Sequence, residues 1–288
     1  MRRWLGIVFS LALTIAAVSA LAAPAALVDA VQMPAWVERA GRRVPILPGM
    51  ELRAGDQLVT GAGSRALVKL ADGSLVKLGE NGQLGLAELS PTRELFKAAL
   101  NVLEGAFRFT TDIVAKSRKR EVSIRAAQVT AGIRGTDLWG RSRAGNEIVC
   151  LIEGDIEVAA AGEQPVTMNQ PLQFYRRIEG KTQPVGMVSK EQLAQWATET
   201  EMQPGKGFAR VGGRFSVILG QADEQNGALA LYDSVQAAGY PAQIRPVKEG
   251  EKITYYVVIR NLPSRAEASA VASQLRGKFG VAEPKVSG

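Results

Sequence analysis

Apolar residues recur at every second position in short runs through much of the chain. Ala66, Val68 and Leu70 alternate with Arg65, Leu67 and Lys69, and past Asp72-Gly73 the pair Val76 and Leu78 flanks Lys77. Apart from Leu67, this is the period-two signature of a half-buried hairpin around a tight turn. Further short runs lie at 100–109, 122–124, 148–152 and 156–158. Two of them echo each other, each an apolar strand, a Glu-Gly pair read as a turn (Glu104-Gly105 and Glu153-Gly154), and a second strand. Helical periodicity is confined to one brief turn at 91–99. Regularly spaced short strands predict an all-β domain over 25–185, a sandwich, a roll or a solenoid-like stack.

The pattern then changes. Residues 186–207 read as a connector with one short helix, opened by Ser189 with Gln192 in a capping-box pattern and broken by Pro204-Gly205. Residues 208–288 predict strand, helix, strand, strand, helix, strand. Strands are expected at 215–219, 242–247 and 254–259 and near Val281. The first helix, at 222–238, carries Leu229, Tyr232 and Val235 at helical spacing and is closed by Gly239. The second opens with the capping box Ser264 to Glu267 and turns Ala268, Val271, Ala272 and Leu275 inward. This order is the split βαβ, an α+β ferredoxin-like βαββαβ unit with both helices on one sheet face. Alternation turns Phe215, Val217, Leu219, Ile244, Tyr255, Val257 and Ile259 toward the helices. Ser216, Ile218, Gln243, Arg245, Tyr256 and Val258 then face the open side. An outward Tyr beside Arg and Gln suits a sugar: a ring for the pyranose face and donors for its hydroxyls.

At 288 residues the chain has room for two domains, and its charged fraction of 22% is ordinary for a globular protein. The N-terminus sets the compartment. Arg2 and Arg3 precede an apolar stretch at 4–18, and Ala20-Leu21-Ala22 supplies the small-x-small pattern of a cleavage site. Residues 1–22 are therefore expected to be a signal peptide and the protein periplasmic, not integral to the membrane once the signal is removed. The net charge of +7 is spread along the chain, which fits an anionic partner but gives no reason to expect nucleic acid.

Histidine is absent. That removes the commonest general base, the Ser-His and Cys-His pairs and every His-ligated metal site. The single cysteine, Cys150, lies in an apolar run and reads as a buried strand residue. Gly61-Ala62-Gly63-Ser64-Arg65-Ala66 matches a dinucleotide fingerprint, yet a strand follows where that site needs a helix N-terminus. It is read as a turn, and no cofactor, metal or catalytic residue is expected. Asp56, Asp72, Asp137, Glu153 and Asp155 are scattered carboxylates beside glycines or turns. Lys116 to Arg120 is a basic run read as a solvated loop. Ile133 to Asp137 reads as a tight turn, with Arg134 placed to pair with Asp137 and Trp139 to cover the domain's edge.

Pro48-Gly49 through Gly55-Asp56, Thr60-Gly61, Ser64-Arg65, Asp72-Gly73-Ser74, Gly132 to Asp137 and Glu153-Gly154 resemble the FecR domain family across 28–166. That resemblance implies a periplasmic β domain that binds an unidentified envelope protein or ligand. Sigma-factor control, which in the founding regulators uses a cytoplasmic segment ahead of the membrane span, is not expected here. Phe215-Ser216-Val217-Ile218-Leu219-Gly220, Ala237-Ala238-Gly239-Tyr240 and 255–268 resemble the SPOR family. This implies binding to peptidoglycan glycan strands stripped of stem peptides. The family's usual Gln and Ser are Ile218 and Gln221 here, and its Gly-Pro-Phe is Arg260-Asn261-Leu262. Ile218 and Gln221 border the family's glycan groove, which adds Gln221 to the six outward residues. The expected function is a non-catalytic envelope protein bound to glycan. The rivals are a signalling component whose last domain binds protein, and an enzyme acting on the wall.

Overall fold

In the computed structural model, residues 24–92, 94–111 and 119–288 are described, the side chain of Arg134 excepted. Residues 1–22, expected to be a signal peptide, and Lys116, Ser117 and Arg118 lie outside them. No helix among the described residues is long and apolar enough to cross a membrane.

The first domain is all β and has two layers. One layer runs through Arg42–Pro45, Ala35–Arg39, Gln57–Thr60, Gln83–Pro91, the first half of Leu95–Thr110, and Lys119–Ala126. The other runs through Ala26–Gln32, Arg65–Leu70, Leu75–Leu78 and the second half of Leu95–Thr110. Val129–Arg143 and Asn146–Ala160 pair with each other along nearly their whole length and also pass from layer to layer. Alternate residues of both layers meet in one core, among them Leu58, Phe96, Leu100 and Val122 facing Val68, Val76, Phe107 and Leu138. Apolar burial of this kind is the main term stabilising the fold.

The long strands explain two departures from the sequence reading. The described residues of 91–99 form no helical turn. Phe96, Ala98, Leu100 and Val102 are buried in strict alternation within Leu95–Thr110. Glu104-Gly105 and Glu153-Gly154 are not hairpin turns but bends inside continuous strands of 16 and 15 residues. Gly105 has φ of +94°, and a Cβ there would come within 2.6 Å of the Gly82 Cα; at Gly154 it would strike the Gly135 carbonyl oxygen. Only glycine lets the strands fold over so closely.

The connector is fastened along its length. Helix α1 (Lys190–Ala197) is capped by the Ser189 hydroxyl, which accepts from the Gln192 amide. Its Trp196 stacks on the fully buried Trp139 at 5.0 Å, over a second apolar cluster with Ile148 and Cys150. Trp139 therefore lies under the helix rather than at an edge. Beyond α1, Glu199 pairs with Arg141 at 2.8 Å, and Glu201 with Lys77 at 2.6 Å and Arg108 at 3.2 Å.

The second domain orders its strands β-α-β-β-α-β along the chain: Phe215–Ala222, helix α2 (Gln225–Ala237), Gln243–Glu249, Lys252–Leu262, helix α3 (Arg265–Leu275) and Lys285–Ser287. All pairings are antiparallel, and numbering these strands one to four gives the spatial order 2-3-1-4. The last strand lies four residues beyond the expected Val281, which makes only an isolated bridge to Lys278. Helix α3 buries Ala268, Val271, Ala272 and Leu275, as its spacing predicts. Helix α2 buries Ala228 and Val235 and leaves Leu229 exposed, so its inward stripe is rotated from the one read in sequence.

Among the described residues, the domains are joined at three places. Phe208–Arg210 pairs with Ala30 to Gln32, extending the first domain's sheet. The turn after α2 meets Pro34 and Trp36: the Ala35 amide donates to the Gly239 carbonyl at 3.2 Å, and a Cβ on Gly239 would come within 2.5 Å of the Trp36 ring. The third is Glu267. The Ser264 hydroxyl caps α3 as predicted, accepting from the Glu267 amide at 3.3 Å. The Glu267 carboxylate, however, does not complete a capping box. It is buried and accepts from the amides of Gly205, Gly207 and Phe208 at 2.5, 2.7 and 3.1 Å. Glu267→Ala strands those donors, and a buried unmet donor costs about 1–3 kcal/mol. The expected result is a lower urea midpoint of the mature protein by circular dichroism; an unchanged midpoint contradicts this role.

Candidate functional site

The second domain's sheet sets the geometry of the site. Val217, Leu219, Val257 and Ile259 are buried against α2 and α3, which leaves the opposite sheet face to the alternate residues. Cross-strand partners share a face. Three rows therefore cross the open side: Gln221, Tyr256 and Arg245; then Lys285, Ile218, Val258 and Gln243; then Ser287 and Ser216. A register shift between Ile218 and Gly220 makes this work. It leaves Leu219 and Gly220 both on the helix side and returns Gln221 to the open face beside Tyr256.

The middle of that face is hollow. A concavity of about 250 Å³ is lined by Ser216, Ile218, Arg245, Val247, Tyr256, Val258, Arg260 and Ser287, all strand residues. Val258 is almost fully buried beneath it and gives it an apolar floor, while Tyr256 is half-buried and Arg245 and Arg260 are exposed. Five of the seven residues singled out in sequence are thus brought together: Ser216, Ile218, Arg245, Tyr256 and Val258. Gln221 and Gln243 lie on the same face, in register with Tyr256 and Val258, but outside the concavity. Val247, Arg260 and Ser287 were missed. Val247 and Arg260 simply continue the alternation one step past Arg245 and Val258, and Ser287 was hidden by the misplaced last strand.

A ring wall, an apolar floor, two hydroxyls and two guanidinium groups form an amphipathic hollow. Rings present apolar area with little conformational freedom to lose, and guanidinium groups donate in fixed directions. Such a surface can hold a ligand with an apolar face and polar edges. It contains no nucleophile-base pair.

The first domain has a larger concavity of about 680 Å³ on the outer side of its first layer. One cross-strand row crosses it, from Glu88 through Ala99, Ser123 and Gly132 to Glu157 and Thr167. Small side chains in the middle of the row make the depression. Lys97 and Glu121 are paired within it at 2.8 Å.

The carboxylates flagged in this domain mostly serve as ionic corners. Asp56 is paired with Arg39 at 2.6 Å, and Asp72 with Arg120 at 3.0 Å. Asp137 accepts two bonds from Arg108, 2.9 and 2.7 Å long, and its expected pairing with Arg134 falls on a side chain outside the described ones. Arg120 therefore belongs to a strand and a buried ion pair, not to a solvated loop. Glu153 and Asp155 lie on Asn146–Ala160. Gly61 to Ser64 is a turn into Arg65–Leu70, with no helix after it. No group of His, Cys, Asp or Glu among the described residues is arranged to hold a metal ion.

Residues 56–157 match the family model described as FecR protein, and residues 211–282 match the model described as SPOR domain. FecR and SPOR domains are typical of envelope proteins. No curated protein sequence matches the chain. Two crystal structures of a candidate anti-sigma factor from Parabacteroides distasonis ATCC 8503, at 1.65 and 2.50 Å resolution, are 13% and 12% identical to it. Their TM-scores are 0.41 and 0.40, and they cover 69% and 72% of this chain and 98% and 99% of their own.

Cys150 is fully buried, and burial pushes its thiol up to about 12, because the thiolate is the form a dry interior disfavours. In the native protein it should react with a disulfide reagent at pH 8 only as fast as the domain opens. Labelling at the rate of a free thiol would contradict its placement.

Proposed function

We propose that this chain, which carries a FecR region followed by a SPOR domain, is an exported, non-catalytic envelope protein that holds peptidoglycan glycan strands in the hollow of its last domain. The observation that carries this reading is the convergence of Tyr256, Arg245, Ser216 and Ile218 on one uncovered sheet face inside the SPOR match. Glycan strands are amphipathic ribbons. Each pyranose has an apolar face of C–H groups and an edge of hydroxyls and acetamides, which suits a tyrosine ring flanked by donors. We read the domain as a ferredoxin-like unit, a reading supported by its β-α-β-β-α-β order and antiparallel pairing.

The expected departure at Ile218 is compatible with such a surface. Ile218 and Val258 are neighbours across the strands and add to the apolar floor, where a longer polar side chain would fill the space. Gln221 remains at the rim, next to Tyr256. The FecR-matching domain is the partner-binding half, and the trough from Glu88 to Thr167 is the surface on it that we assign to an envelope protein or ligand. The export signal at 1–22 would deliver both halves to the periplasm.

The mature protein should co-sediment with amidase-treated peptidoglycan. Tyr256→Ala combined with Arg245→Ala should weaken that binding by tenfold or more, the equivalent of about 1.4 kcal/mol. Both side chains are at the surface, so circular dichroism should show the double variant folded. Undiminished binding by the folded variant would remove this site from the account, and release of soluble sugar from the sacculi would show the protein to be an enzyme.

A further inference from the structure

We infer that the outer side of the first domain's second layer is a docking face for a protein segment carrying an aromatic ring followed by carboxylates, and that the connector occupies this face in cis. The inference is independent of the glycan reading and of the trough, which lies on the outer side of the other layer. One cross-strand row makes the face: Lys77, Arg108, Trp139, Cys150 and Phe174, each in register with the next. Beside it stands Arg141, its guanidinium 5.6 Å from the centre of the Trp139 ring. Cations at one end and apolar groups at the other suit an amphipathic, acidic segment.

The connector shows what fits there. Trp196 stacks on Trp139 and meets Phe174 edge-on at 6.2 Å. Glu199 and Glu201, three and five residues later, reach Arg141, Lys77 and Arg108. The backbone runs so close that a Cβ on Gly79 would come within 2.6 Å of the Glu199 carbonyl oxygen. Yet the fit is incomplete. Trp139 is fully buried, but its indole N–H has no acceptor among the described residues, and a buried donor left unmet is costly. Helix α1 has eight residues and fully buries none of them, and a helix of that length is marginal by itself. The Val188 amide donates to the Leu172 carbonyl and the Gln203 amide to the Gln32 side-chain oxygen, each at 3.0 Å. With those two points held, residues 189–202 can lift as a loop while both domains stay in place.

The unmet indole decides the occupant. The connector of a second copy would repeat the same contacts and leave the same N–H unpaired, while competing with a connector already tethered beside the face. A segment of another protein with the same ring and acids, and an acceptor placed at the indole N–H, makes one hydrogen bond more.

The probe is a fluorescent synthetic peptide of residues 188–203, read by anisotropy on the full mature protein at low salt. Trp196→Ala in the protein removes the ring over Trp139 and keeps every group of the face. That variant should bind the peptide about tenfold more tightly than the unmodified protein does. Its uncovered Cys150 should react with a disulfide reagent about tenfold faster, and saturating peptide should restore the slow rate. A peptide carrying Trp196→Ala should neither bind nor protect. Should the protein variant prove unfolded by circular dichroism, Glu199→Gln with Glu201→Gln replaces it, with effects of about threefold expected from the lost ion pairs. Absence of saturable binding to the folded variant overturns the inference, as does equal binding of the peptide without its ring. A dimer of the unmodified protein that the peptide disperses, seen by light scattering, would make a second copy the occupant and overturn the assignment to another protein.

Discussion

Two helices of 13 and 11 residues can cover one face of a four-stranded sheet, and the second face is then left to whatever else the protein supplies. In this chain, the first domain approaches from the helix side. The Gly239 turn after α2 rests on Trp36, the Glu267 side chain of α3 clasps the turn at 205–208, and Phe208–Arg210 joins the first domain's sheet. The residues that hold the two domains together are thus spent on the helical side. The opposite face keeps its alternate residues, and their sizes produce a hollow rather than a flat surface: Val258 forms the floor, and Tyr256, Arg245 and Arg260 form the walls.

The same logic shapes the first domain. Its three longest strands cross between two layers, which requires a bend in each, and Gly105, Gly135 and Gly154 adopt positive φ at those bends. The outer side of the second layer is covered by α1 through Trp196 on Trp139, and by the acids Glu199 and Glu201 on Arg141, Lys77 and Arg108. The outer side of the first layer holds the trough. Two buried acids elsewhere in this domain, Asp56 and Asp72, are each matched by an arginine, which offsets the cost of burying their charge.

Much of this was legible in the sequence wherever one physical signal acted alone. Period-two alternation placed the Asp72-Gly73 hairpin, and it also sorted Tyr256 from Tyr255 and Arg245 from Ile244. Helical spacing with a serine cap gave α3 and its four buried positions. What failed were places where a tertiary contact overrides a local cue. Glu-Gly looks like a turn, but whether the chain reverses or only bends depends on the layer it meets. Asp137 is bound by Arg108, which lies on another strand where no local cue points. Glu267 fits a capping box, yet three amides from a distant turn claim its carboxylate. Of the hollow, five residues followed from alternation, while Ser287 needed the position of the last strand, which has too few apolar residues to announce itself.

The central claim is that the uncovered face of the last domain meets sugar, and hydrogen exchange read by mass spectrometry locates that contact directly. Adding stripped glycan to the mature protein should slow exchange in Gln243–Glu249 and in the Tyr256 to Arg260 stretch, leaving α2 and α3 unchanged. Protection confined to the helices or the first domain, or none at saturating glycan, would contradict the account.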